Sequence, residues 1–305
     1  MTSLALPDTL ETSFAECRTI TKREARNFYY GLRLTPEPRR SAIYSVYAWM
    51  RAVDDHADSP GSVESKRTAL REFAARTDAA LDSGCDPSEE SFWPAFIDTV
   101  QRYDLDPATF RDVVRGMEDD LETDASVADI TFETRDDVEQ YCYRVASTVG
   151  LICLRIWGLR DGVSQEDADA LAIKRGLAFQ LTNILRDVGR DYDDGRVYIA
   201  RRDFEAHDLT PAQLRSWNPD DRARGLVLDI ARWAQSAYDS SSPLETMVDP
   251  ACAPAMWAMT RIYHSLLEIV EREPSRVVGV QRIRVPSYRK ATIGVRAVLG
   301  AGRRA

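Results

Sequence analysis

Apolar side chains recur every three or four residues in this chain, and strand-like alternation is scarce. This periodicity constrains the fold more than any other feature. Leu171, Leu177, Leu181, Ile184, Leu185 and Val188 form one stripe; Ile43, Val46, Tyr47 and Met50 form another. The stretch 196–200 is too short to anchor a sheet. Gly and Pro number 15 and 14 in 305 residues, fewer than a turn-rich β protein needs. The pattern predicts an all-α fold of eight to ten helices in one domain spanning 1–305. Loop-like stretches at 58–65, 82–91 and 239–254 are too short to link independent domains. Pro36 and Pro38 should end a helix containing 27–33, with the next starting near Arg39. Ser164 and Thr210-Pro211 read as helix starts.

The net charge of −9 argues against nucleic acid as a partner. That average hides an asymmetry. From 276 onward there is no Asp or Glu, while Arg276, Arg282, Arg284, Arg289, Lys290, Arg296, Arg303 and Arg304 are all basic. Arg dominates the cations, with lysine only at 22, 66, 174 and 290, and Arg suits bidentate binding of phosphate. The cysteines at 17, 85, 142, 153 and 252 are odd in number and form no C-x-x-C pair. Reduced thiols and an N-terminus without a signal-peptide pattern point to a cytoplasmic protein. The most apolar window, 145–159, is too short for a membrane span and contains Arg155.

Two polar constellations stand out. Tyr47, Arg51, Asp54 and Asp58 project within about 60° of one another on a helix. Carboxylates one turn apart repel by a few tenths of a kcal/mol, and a divalent cation reverses the sign. A solvated acidic helix end also explains Asp54, Asp55 and Asp58. Gln180, Asn183, Asp187 and Asp191 lie within about 80° of one another, beside the apolar stripe of the same helix. Buried amides and carboxylates need partners, which a metal, a phosphate or a polar cavity supplies. Facing each other across a cavity, the two motifs offer hard oxygen ligands suited to Mg²⁺, with Mn²⁺ as a substitute. Such a site fits ionisation of a diphosphate. His56, His207 and His264 form no metal-ligand pattern, and no phosphate-binding glycine loop is present.

In order along nearly the whole chain stand NFYYGLRLTP, IYSVYAWMRAVDDHAD, GMEDDLE, YCYRVASTVGLICLRIWG, LAFQLTNILRDVGRDYDDGRVYIA and RIYHSLLEIVE. This set resembles the squalene/phytoene synthases, which join prenyl diphosphates head to head. Within them, YYGLRL and RIYHSLLE look most like bacterial presqualene diphosphate synthases of hopanoid pathways. Two positions depart from the family's habit: Asn27 stands for Ser, and Arg190 for Glu.

The resemblance implies an isoprenoid synthase fold around a central cavity. It implies Asp54, Asp58, Asn183, Asp187 and Asp191 as Mg²⁺ ligands. Tyr47, Arg51, Tyr141, Gln180 and Tyr263 become pocket residues, and Arg51, Arg186 and Arg196 diphosphate contacts. Tyr141 is the candidate acid/base or cation-stabilising group. The window 145–157 should line a slot for isoprenoid chains, with Gly150 allowing close approach. The expected reaction joins two farnesyl diphosphates to presqualene diphosphate and releases pyrophosphate. NADPH enters only if a reductive second half-reaction occurs. Alternatives are a full squalene synthase, a phytoene synthase using geranylgeranyl diphosphate, and an inactive assembly subunit. A solvated tail, or one folded back over the acidic body, is the first explanation of the basic segment from about 276; peripheral contact with the inner face of an anionic membrane is the alternative it offers.

Overall fold

The computed structural model describes residues 7–83, 90–122 and 129–301, and helices follow one another along almost all of them. The first six are α1 (Pro7–Glu24), α2 (Arg26–Leu32), α3 (Arg39–Ala57), α4 (Val63–Ser83), α5 (Trp93–Arg102) and α6 (Pro107–Glu122). Next come β1 (Asp129–Ile130), α7 (Arg135–Cys142), a π-helical turn (Tyr143–Ser147), α8 (Thr148–Trp157) and the long α9 (Gln165–Asp193). Beyond these lie β2 (Arg196–Val197), α10 (Arg201–Ala206), α11 (Pro211–Arg215), α12 (Asp220–Ser240) and α13 (Leu244–Met247). The chain closes with α14 (Ala253–Arg272), a 3₁₀ turn (Pro274–Val278) and α15 (Ser287–Ala301).

The helices outnumber the eight to ten expected. Short ones such as α11 and α13 fit within stretches where periodicity has no room to show, and α13 lies inside the predicted loop 239–254. Most of the predicted loop 82–91 lies outside the described residues. Strand pairing among the described residues is one parallel ladder, Asp129 with Arg196 and Ile130 with Val197, plus an isolated bridge.

The legible helix ends form by the expected chemistry. Ser164 accepts from the Asp167 amide at 3.3 Å and starts α9. Thr210 and Gln213 make a reciprocal capping box, with Pro211 in the first turn. Each satisfies amide donors that a helix start leaves unpaired.

Two buried clusters hold the helices. In the first, Trp49 stacks on Phe96 at 5.5 Å and meets Phe110 edge-on at 5.0 Å, with Phe73 and Trp93 beside them. Burying each such ring contributes about 2 kcal/mol or more. The Trp49 indole N–H donates to Thr77, so its polar atom is satisfied inside the core. In the second cluster, Leu181, Ile184 and Leu185 of α9 pack with Leu226, Val227 and Ile230 of α12 and Ile262 and Leu266 of α14. Phe179 touches both clusters and marks the seam between them.

Close backbone contact sets that seam. A Cβ on Gly176 would sit 2.4 Å from the Ser147 Cα, so only glycine lets α9 lie against the π-helical turn. Ser147 also donates to the Ile173 carbonyl at 2.8 Å. Among the described residues, no helix is long and apolar enough to cross a membrane.

Candidate active site

The seam encloses a cavity of about 290 Å³. Its walls carry Tyr47, Met50 and Asp54 of α3, Phe179, Gln180 and Asn183 of α9, and Met256 and Met259 of α14. The π-helical turn and α8 add Val145, Val149, Gly150, Cys153 and Trp157, so much of the predicted slot-forming window does line it. Along α9 the lining runs from Ala172 to Asn183, about three helical turns or ~16 Å. Along α3 it runs from Ile43 to Asp54, a similar length. Trp157 is part of the apolar wall, fixed by its indole donating to Thr35 at 3.0 Å.

The wall is polar where Asp54, Gln180 and Asn183 line it, and the charges of other carboxylates reach Asp54. Asp54 has its pKa pushed up to about 7, first by burial and then by repulsion from Asp58, Asp55 and Asp120, against the pull of Arg51. Asp191 is likewise pushed up to about 7 by burial and by Asp187 and Asp120. Asp120, at the end of α6, thus repels the last turns of both α3 and α9. Its own pKa rises to about 6 through burial, offset by hydrogen bonds from Tyr141 and Tyr198. The Tyr198 hydroxyl donates to Asp120 Oδ1 at 3.0 Å. Tyr141 and Tyr198 stack at 5.2 Å, and burial lifts both phenols well above the ordinary range.

The polar stripe of α9 divides along its length. Gln180 and Asn183 face the cavity, and Asn183 Nδ2 donates to Gln180 Oε1 at 3.1 Å. Asp187, one turn on, turns to arginines. Arg186 and Arg282 both bond it, and although burial raises its pKa, these bonds bring it below the usual value. Asp191 borders a second, much smaller hollow with Arg196 and Tyr198. The helix outruns the cavity: Asn183 and Asp191 are eight residues apart, ~12 Å.

The other predicted residues fall around this frame. Arg51 pairs with Asp55 and stands 3.9 Å from Asp54. Asp58 is exposed just past the end of α3. Tyr263 is buried and hydrogen-bonded to Arg186, whose guanidinium also holds Asp187. Tyr141 lies behind the cavity wall, with its hydroxyl on Asp120. Arg190 reaches Asp194 at 3.5 Å and is largely exposed, so it neither shields Asp191 nor faces the cavity. His56 packs on the Phe73 ring at 4.8 Å. The side chain of Asn27 lies outside the described residues.

Sequence reasoning missed two residues. Asp120 was visible only within GMEDDLE, and its link to both aspartate motifs is tertiary. Arg282 sits in the basic segment, ninety-five positions from its partner Asp187. Their signals were a doubled Asp and an Arg-rich tail, neither tied to a site by spacing.

The donor set suits a divalent cation. Asn183 Oδ1 is buried beside the cavity without a hydrogen-bond partner, and the nearby carboxylates repel one another. These are hard oxygen donors of the kind Mg²⁺ takes. Among the described residues, no three His, Cys, Asp or Glu side chains converge closely enough to hold a metal alone. A cation held here would take one or two protein ligands and complete its shell with water or substrate phosphate.

The sequence profile of squalene/phytoene synthases matches residues 21–289. The chain belongs to this family. It is 31% identical over 289 residues to the 15-cis-phytoene synthase of Synechococcus elongatus, covering 92% of this chain and 91% of the relative. A dehydrosqualene synthase crystal structure superposes with a TM-score of 0.83 at 27% identity, covering 96% of this chain and 98% of that one. The squalene synthase HpnC from Alicyclobacillus acidocaldarius gives 0.77 at 25% identity, covering 88% and 96%. The fold is the all-helical isoprenoid synthase fold of these neighbours, and family membership makes the chain a prenyltransferase. The family's reaction is head-to-head condensation of prenyl diphosphates.

Proposed function

We propose that the chain joins two farnesyl diphosphates, with Mg²⁺, into presqualene diphosphate. The observation that carries this reading is the cavity length. Along both α3 and α9 the lining runs for ~16 Å and ends at Asp54 and Asn183, a span for a farnesyl chain laid from a diphosphate at those residues inward. A geranylgeranyl chain is one isoprene unit longer and would exceed that span.

In the proposed reaction, the C1–O bond of one substrate breaks and pyrophosphate departs. The C2=C3 bond of the second substrate attacks the resulting allylic carbon. The cation this leaves at C3 of the second substrate is quenched as C1 of the first substrate loses a proton and bonds to C3, closing the cyclopropane ring, while C1 of the second substrate keeps its diphosphate. Bound Mg²⁺ would supply charge neutralisation for the leaving pyrophosphate. Asp54 and Asn183 are the cavity-facing residues that would hold it; the family pattern also assigns Asp58, Asp187 and Asp191, which here lie, respectively, exposed, clamped by Arg186 and Arg282, and beside the second hollow. Arg51, Arg186 and Arg196 would bind diphosphate oxygens, which requires Arg51 and Arg186 to loosen their grip on Asp55 and Asp187. Tyr47, Gln180 and Tyr263 position the substrates. Tyr141, held neutral by burial behind the cavity wall, would act by fixing Asp120 rather than as a phenolate base or by direct contact with the cation. The apolar wall keeps water from the allylic cation.

A second reading has one observation in its favour. Curated relatives near 30% identity are named phytoene synthases, which suggests geranylgeranyl diphosphate as substrate. Purified protein, incubated with Mg²⁺ and each diphosphate without NADPH, separates the two by product mass spectrometry. Presqualene diphosphate from farnesyl diphosphate supports the first. Phytoene from geranylgeranyl diphosphate, with farnesyl diphosphate unconsumed, establishes the second. The reading also places the protein at the inner face of a membrane, reached through its basic C-terminal segment.

A further inference from the structure

Exposed large apolar side chains are not scattered over this protein. Among the described residues they are Tyr30, Val280, Tyr288, Val295, Val298 and Leu299. All but Tyr30 lie between 280 and 299, and the Tyr30 ring sits 5.2 Å beneath the Lys290 ammonium. The patch therefore coincides with the segment that has no acidic residue.

The geometry of α15 orders the patch. Tyr288, Thr292, Val295 and Leu299 project within about 60° of one another, while Ile293 and Ala297 point the opposite way and are buried. The outward residues are 75% exposed at Tyr288, 58% at Val295 and 69% at Leu299. The helix is thus apolar on both faces, one packed on α14 and α2 and the other bare.

The cations of the segment fall into two sets. Arg282 is bound to Asp187 and Arg289 to Glu268, so these fold back over the acidic body. Arg284 and Arg296 are exposed, and Lys290 lies beside Arg284. Arg296 thus flanks the apolar stripe and Arg284 stands just before the helix, while Lys290 lies on the side that packs over Tyr30.

We propose that the outer face of α15, with Val280 and Arg284, docks on a lipid bilayer rich in anionic headgroups. A helix with an apolar stripe flanked by Arg and Lys lies in the plane of such an interface, its apolar face among the acyl chains and its cations on the headgroups. A second copy of the chain is a poorer occupant. A twofold contact through this face would set one acid-free basic segment against another. The docked face is also one helix layer from the cavity, because α2 and α14 supply Leu32, Met256 and Met259 to its wall. This deepens the membrane clause of the reading above. The product assay is independent of it, so docking can fail while the condensation stands.

The test uses the full chain and two kinds of vesicle, phosphatidylcholine alone and an equal mixture with phosphatidylglycerol. Co-sedimentation should be strong with the mixed vesicles and weak with phosphatidylcholine. A Val295→Ser/Leu299→Ser variant and an Arg284→Gln/Arg296→Gln variant should each lose about tenfold in partitioning. Both should keep the parent circular dichroism and turnover in detergent. Undiminished partitioning of both variants overturns the proposal, as does absence of binding by the parent chain. So does a dimer in light scattering that Val295→Ser/Leu299→Ser converts to monomer, because the face is then a protein contact.

Discussion

Arg282 grips Asp187 with two hydrogen bonds of 2.6 Å, one from Nε and one from Nη2. The contact ties the start of the basic segment to the second aspartate motif. With Arg186 on the other side, it keeps Asp187 ionised although the carboxylate is nearly buried. Asp191, one turn further on, has no such clamp and rises to about 7. The pKa values of two carboxylates of one motif are therefore moved in opposite directions by their surroundings.

Arg282→Ala should lower stability by about 1–2 kcal/mol, because one charged bidentate bond disappears while Arg186 still covers Asp187. Arg282→Lys should recover less than half, since an ammonium cannot reproduce the planar fork. Urea unfolding of both variants checks this. Equal stability of Arg282→Ala and the parent would remove the clamp from the account.

Stability of the metal-free protein should fall as the pH rises from 6 to 8. The folded-state values of Asp54 and Asp191, about 7, lie above the ordinary 3.8. The folded protein thus holds protons that the unfolded chain has released. That stabilisation is full below about pH 4 and is lost as the pH passes through about 7. Nearly half of the Asp54 side chain is open to solvent, which screens its share. A drop of about 1 kcal/mol for the pair is expected. Added Mg²⁺ should flatten or reverse the trend, because it prefers the ionised carboxylates. Urea midpoints at both pH values, with chelator and with Mg²⁺, measure it.

Asp120→Asn should shift the pH midpoint of Mn²⁺ binding downward by roughly half a unit. Its charge repels both Asp54 and Asp191, so removing it makes each easier to ionise. Calorimetric titrations from pH 5.5 to 8 would show the shift, about half a unit toward acid. An unmoved midpoint would mean that Asp120 serves only to hold Tyr141 and Tyr198.

Gly176→Ala should cost about 2–4 kcal/mol and reduce turnover together with it. The added methyl meets the Ser147 Cα, Oγ and N at 2.4, 2.5 and 2.7 Å, and a backbone cannot rotate aside. Gly150→Ala, whose methyl would meet only the Ala172 carbonyl at 3.4 Å, is the matched control. It should keep the parent stability while crowding the cavity wall. Thermal unfolding of the pair separates packing from site effects.

What the sequence showed and hid follows from the range of each interaction. The α9 start at Ser164 and the α11 start at Thr210 rest on contacts within four residues, so spacing reveals them. The carboxylate faces are legible too, since helical geometry alone aligns Asp54 with Asp58 and Asn183 with Asp187. Periodicity cannot show where a helix leaves the cavity it lines. The divergence of Asp187 from Asn183 therefore appears only in the packed structure. Asp120 and Arg282 act through partners 78 and 95 residues away, beyond any local pattern. The basic segment looked uniform in sequence, yet Arg282 and Arg289 turn inward while Arg284 and Arg296 face out.

Asp54→Asn and Asp187→Asn should be alike in activity and opposite in stability. Each removes a proposed cation ligand, so turnover should fall about a thousandfold or more in both. Asp54 is a repelled carboxylate beside Asp58, Asp55 and Asp120, and a neutral amide relieves that repulsion. The metal-free Asp54→Asn protein should match or exceed the parent by up to about 1 kcal/mol at pH 8, with the gain vanishing near pH 5. Asp187 is instead the shared acceptor of Arg186 and Arg282. An amide there leaves two guanidinium groups short of a counter-charge, and a loss of about 2–3 kcal/mol is expected. Urea midpoints at pH 5 and 8, beside single-turnover rates with farnesyl diphosphate, test both halves. Full activity in either variant would sink the metal-ligand assignment for that residue. Stability changes of the same sign would show that the two aspartates do not differ in charge environment as the structure depicts.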